Sequence, residues 1–120
     1  MNEKCWVVVQ YPLKSIKGSQ RDEWLRDKVT EYLNLFLADA ELGYVDGFEM
    51  GRMVSDPQQY VLNLFCVVTD EQRGMALIKK VIREHRLDFT RIKIATMPFE
   101  GGGAYTLKYA SKKGVTDFSL

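Results

Sequence analysis

The chain has 120 residues, 46% of them hydrophobic and 28% charged, with a formal net charge of +1. That is enough for one domain with its own core. So even a charge balance supplies no electrostatic pull toward nucleic acid or an anionic membrane.

Taken in chain order, residues 5–11, CWVVVQY, read as a buried strand from their β-branched and aromatic content. Cys5, and Cys66 further on, lie in apolar stretches and read as reduced core thiols of a cytoplasmic protein, against a disulfide or metal pair. The apolar run of MNEKCWVVVQ is too short for a signal peptide, and no run approaches the ~20 apolar residues of a membrane span. After the turn material PLKSIKGS, Ser19 and Asp22 are spaced as a capping box. Leu25, Val29, Leu33, Phe36 and Ala40 then recur at helical spacing, predicting a helix over 20–40 with Gly43 as its stop. GYVDGFEMGRM, 43–53, reads as a second, edge strand, and SDPQ at 55–58 as a type I turn with Pro57 at its second position. YVLNLFCVV, 60–68, is a third strand. Thr69 and Gln72 offer a second capping pair, and Met75, Ile78, Val81 and Ile82 line a second helix whose C-terminal end is crowded with cations. TRIKIAT, 90–96, alternates as a fourth strand.

The order βαββαβ, with short connections, predicts an α+β fold: a ferredoxin-like sandwich of four antiparallel strands in order 4-1-3-2 with both helices on one face. Residues 1–98 form this domain. Residues 99–120 follow as a glycine-jointed C-terminal extension, with YTLKY as a candidate fifth strand and the last ten residues as a mobile tail.

The run from LGYVDGFEMG through VTDEQRGMALIKKVIRE to LDFTRIKI resembles a group of small, mostly uncharacterised bacterial ferredoxin-like proteins, over most of residues 5–96. The resemblance implies a partner of another protein, of the kind that includes immunity proteins neutralising a toxin. Fold alone does not set function.

No residue reads as catalytic. Asp46 and Glu49, three apart in a regular strand, point to opposite faces and do not converge on one substrate. Gly47 and Gly51 share the face of Glu49, where either another backbone approaches or a bulge or close helix packing removes the side chains. His85, the one histidine, sits at a helix end among cations and reads as a capping or solvated residue. One histidine and two scattered cysteines do not make a zinc site. The serines lack a G-x-S-x-G setting and the GGG at 101–103 lacks the Lys-Ser/Thr of a phosphate loop. No metal or cofactor is expected.

Strands 1 and 3 are apolar on both faces, yet the helices cover only one. Trp6, Val8, Phe65 and Val67 are therefore expected to contact a cover: the chain's own tail, a second copy in a homodimer, or a partner. Their aromatics, with Arg91 and Lys93 nearby, could also stack on bases, but the third strand lacks the usual RNA-binding signature, which disfavours nucleic acid. Residues 21–41 carry six acidic against three basic side chains, and 79–93 carry six basic against two acidic. Either these faces complement one another, or Asp22, Glu23, Asp27 and Glu31 form a docking surface for a basic toxin domain. The leading expectation is a non-enzymatic, immunity-type inhibitor. The alternatives are a small-metabolite (amino-acid) sensing domain and a small dimeric ferredoxin-like enzyme.

Overall fold

The CWVVVQYPL stretch forms β1 (Cys5–Leu13) at the middle of the sheet, hydrogen-bonded on both edges. A computed structural model describes residues 4–15, 18–100, 103–115 and 117–120. The chain continues through α1 (Gln20–Asp39), β2 (Gly43–Arg52), β3 (Tyr60–Val68), α2 (Glu71–Glu84), a 3₁₀ turn (Phe89–Arg91), β4 (Lys93–Pro98) and β5 (Thr106–Ala110). One antiparallel sheet runs β2-β3-β1-β4-β5. Its first four strands keep the order 4-1-3-2 read from the other edge, compatible with a ferredoxin-like sandwich. A fifth strand at the candidate YTLKY segment joins the four of the core order, as β5 pairs with β4 from Lys93↔Ala110 to Thr96↔Thr106.

On one face Val7, Val9, Tyr11, Leu62, Leu64, Cys66 and Ile94 meet Leu25, Val29, Leu33 and Leu37 of α1 and Ile78 and Ile82 of α2, all but fully buried. Burying each large apolar side chain contributes roughly 1.5–3 kcal/mol, so this layer holds the fold together. The Tyr11 hydroxyl donates to the Leu87 carbonyl at 2.7 Å, satisfying the one polar atom that ring brings inside.

The local signals resolve unevenly. Ser19 caps α1 in a full capping box with Asp22, as its spacing predicts. The helix stop falls earlier than Gly43: Ala40 is the C-cap and Glu41 takes the left-handed conformation at φ 55°. Gly43 is instead needed in β2, where a Cβ would lie 1.9 Å from the Val67 carbonyl oxygen. Asp70, not Thr69, caps α2 by accepting from the Arg73 N–H at 3.1 Å. The Thr69 hydroxyl donates to the Leu42 carbonyl at 3.3 Å. The turn after β2 falls one residue later than SDPQ, spanning 56–59: the Gln59 N–H donates to the Asp56 carbonyl at 2.9 Å, which places Pro57 second. Strand β4 starts at Lys93 rather than 90, because Asp88 (φ 54°) and the 3₁₀ turn occupy 88–91.

The opposite face of the sheet is also covered. Register places Trp6, Val8, Gln10 and Pro12 of β1 beside Val67, Phe65, Asn63 and Val61 of β3. The segment after β4 and the C-terminal residues lie across them. The Phe99 ring is 5.3 Å from Trp6, and Phe118 sits 6.0 Å from Tyr105. The Ser119 carbonyl accepts from the Gln10 side-chain amide at 2.7 Å, and the Leu120 carbonyl from the Val54 N–H at 2.6 Å. Phe118, Ser119 and Leu120, read from sequence as part of a mobile tail, thus have defined partners. The polar pair inside this face is internally satisfied, since the same Gln10 amide donates to Asn63 at 2.9 Å.

Candidate protein-docking surface

Helix α1 buries Leu25, Val29, Leu33 and Leu37 and turns its opposite side to water. At 100° per residue, Trp24, Asp27, Lys28, Glu31 and Leu35 fall on one stripe opposite that buried line. A surface helix normally carries polar residues there, yet Trp24 is 41% exposed and Leu35 58%. Eleven positions separate them, about 16 Å along the axis at 1.5 Å per residue. Arg21 stacks its guanidinium 4.2 Å from the Trp24 ring centroid and keeps the indole along the surface. The stripe is apolar at both ends and charged between.

The charge is negative, and helix stability accounts for only part of it, since Asp22 and Glu23 lie in the first turn, where the dipole favours anions. Asp39 and Glu41 stand exposed at the C-terminal end of α1, whose last turn holds no basic residue. The helix dipole disfavours anions there. Asp27 pairs with Arg26 at 2.9 Å and Glu31 with Lys28 at 3.4 Å, both at the surface, and such pairs are worth ~0–1 kcal/mol and exchange readily. Among the described residues no acidic side chain of 21–41 pairs with a cation of 79–93. The one ion pair between the segments runs the other way, Arg21 to Asp88 at 3.1 Å. The basic end is engaged locally: Lys79 lies over Tyr109, Arg83 over Phe89, and Arg91 is bound to Asp88. Mutual neutralisation therefore does not account for the acidic face.

Of the acidic residues expected to dock a partner, Asp27 and Glu31 lie on the stripe and Glu23 beside it, all exposed. Asp22 does not. It is 7% exposed, and its Oδ2 accepts from the Ser19 N–H at 2.8 Å and the Ser19 hydroxyl at 3.0 Å. As the N3 residue of the capping box it points back at the helix start. Trp24 and Leu35 were not legible as site residues from the core periodicity, although their spacing placed them off it.

The sheet-face residues are internal. Val8 and Val67 are 0% and 1% exposed, while Trp6 and Phe65 are half-buried and stand edge to face at 6.5 Å. Phe99 packs on Trp6, and Ser119 is held by Gln10 on the same face, which leaves less of it open to stack on bases. Arg91, expected on the fourth strand, lies in the 3₁₀ turn and donates to the Pro12 carbonyl at 2.7 Å.

Other chemistry-bearing groups are placed as follows. A bulge between Val45 and Gly47 breaks the alternation of β2, so the parity argument separating Asp46 from Glu49 lapses. Gly47, Glu49 and Gly51 oppose Phe65, Asn63 and Val61, on the face away from α1. A Cβ at either glycine would meet nothing within 4 Å, so helix packing does not explain them. His85 is the C-cap of α2 and stacks on Tyr32 with ring centroids 4.4 Å apart. Burial pushes the Cys66 thiol up from 9.0 to about 12, which leaves it protonated and unreactive. Among the described residues no group of three or more His, Cys, Asp or Glu could hold a metal ion, and no helix is long and apolar enough to cross a membrane.

Compared with known proteins, the chain matches no protein-family model, and no curated protein or solved structure matches it significantly.

Proposed function

We propose that this chain is a ferredoxin-like, non-enzymatic protein-binding module that docks a basic protein along α1 and occludes it. The observation that carries the reading is the exposure of Trp24 and Leu35 on the acidic stripe facing away from the core. A tryptophan that becomes fully desolvated is a common anchor of an interface. The surrounding Glu23, Asp27 and Glu31 would steer a positively charged surface toward it and fix its register. With Asp22 buried in the capping box, five exposed acidic side chains of residues 21–41 remain against three basic ones, a balance that suits a basic partner. The concrete form is a bacterial, cytoplasmic immunity-type inhibitor of a basic toxin domain, in line with the resemblance carried by residues 5–96. The expectation of a homodimer rested on an uncovered apolar sheet face, and the contacts of Phe99 with Trp6 and of Ser119 with Gln10 favour the chain's own C-terminal segment as its cover instead.

The test uses basic toxin domains encoded beside the gene, with association followed by surface plasmon resonance at low and high salt. Asp27→Lys with Glu31→Lys is expected to slow association and flatten its salt dependence. Trp24→Ala is expected to weaken the complex by about 2 kcal/mol or more, mainly through faster dissociation. A complex unaffected by all three substitutions places the interface elsewhere.

A further inference from the structure

A cavity of about 460 Å³ opens at one end of the sheet, on the face away from the helices and away from the α1 stripe. Gln10 and Pro12 of β1, Val61 of β3 and Lys93 of β4 contribute to it. Arg91 from the 3₁₀ turn and Lys112 and Val115 from the segment after β5 complete its cationic and apolar parts. The size suits a small organic molecule, for which sites of ~300–1,000 Å³ are usual.

Its electrostatics are one-sided. Three cations line it and no carboxylate does, in a chain whose net charge is only +1. Arg91 is partly neutralised, since one guanidinium nitrogen meets Asp88 at 2.9 Å and another donates to the Pro12 carbonyl at 2.7 Å. That fixes its position. Lys93 and Lys112 have no ion-pair partner among the described residues. Lys93 is also half-buried, its stem against the cavity wall. Pro12, Val61 and Val115 supply apolar wall, while the Gln10 side-chain amide is held by Asn63 and the Ser119 carbonyl.

We infer that this cavity binds a small organic anion, with a carboxylate or phosphate head between Lys93 and Lys112 and an apolar body against Pro12 and Val61. The site is independent of docking at α1.

An NMR titration of the full ¹⁵N-labelled chain with benzoate, phenyl phosphate and the uncharged benzamide tests this. Saturable shifts at the amides of Gln10, Val61, Lys93 and Lys112 are expected with at least one anion, and the preferred anion identifies the head group. Benzamide should bind at least about tenfold more weakly, as expected when charge-assisted hydrogen bonds are lost. Lys112→Gln, on an exposed loop that cannot endanger the fold, and Lys93→Gln should each weaken the anion by a similar factor, whereas Lys80→Gln on α2 should not. Equal binding of benzamide, failure of both anions to shift these amides, or an equal effect of Lys80→Gln would overturn the assignment.

Discussion

Replacing Asp22 by alanine separates an acidic residue that builds the helix from those available to a partner. The substitution removes an acceptor that takes two hydrogen bonds from Ser19, at 2.8 and 3.0 Å, from a side chain only 7% exposed. Loss of a cap interaction costs about 1 kcal/mol, and removing a carboxylate from the first turn forfeits a further ~0.3–1 kcal/mol of dipole interaction. The Ser19 N–H, left without its acceptor, brings the total to about 2 kcal/mol. For 120 residues, the unfolding entropy is about 0.25 kcal/mol/K at the midpoint, so Tm should fall by roughly 8 °C. Asp27→Ala, whose side chain is 68% exposed, should stay within about 0.5 kcal/mol, or 2 °C, of the parent. Ser19→Ala should resemble Asp22→Ala, and the double variant should lose clearly less than the sum, because both substitutions break the same box. Calorimetry on the four variants measures this. Strict additivity, or a Tm for Asp22→Ala within 2 °C of the parent, would refute the capping role and return Asp22 to the docking surface.

Tyr11→Phe should cost about 1–2 kcal/mol in urea unfolding, because the buried Leu87 carbonyl loses its donor; an unchanged midpoint would show that water replaces it. Cys66 is raised from 9.0 to about 12 by burial, so the unfolded chain ionises first and its contribution, fully present below pH 9, is lost as pH rises from 9 toward 12. Burial raises Tyr11 in the same direction above pH 10. The urea midpoint should therefore decline above pH 9, and less steeply in Cys66→Ala; a flat profile to pH 10.5 would contradict both assignments. Deleting residues 117–120 should speed hydrogen exchange at the Val54 and Ser55 amides, which donate to the Leu120 carbonyl and the Ser119 hydroxyl, by about fivefold or more, the equivalent of ~1 kcal/mol. Unchanged exchange would mean the segment does not hold that position in solution. Gly43→Ala should lower Tm by more than about 10 °C or prevent folding, as its Cβ would overlap the Val67 carbonyl oxygen; a near-parental Tm would show that β2 can move aside.

Much of the fold was legible because its signals are local. The β-branched runs of β1 and β3, the heptad-like recurrence of Leu25, Val29 and Leu33, and the Ser19–Asp22 spacing each act within a few residues. Together with short connections they determine α+β layering and the order of four strands. The same local reading showed that a second face of the sheet needed a cover, since Trp6, Val8, Phe65 and Val67 alternate with equally apolar neighbours. What covers it was settled only by tertiary structure, through contacts such as Gln10 to Ser119, 109 positions apart, which no local pattern encodes. The bulge at Val45/Gly47 and the left-handed Asp88 that delays β4 were not legible from the sequence pattern either. The candidate surfaces divide the same way. Charge counts alone singled out an acidic helix, but that its anions are not matched by the basic segment, and that Trp24 and Leu35 face water among them, depends on where α1 comes to rest. Periodicity states which residues share a face; only the folded chain states what that face meets.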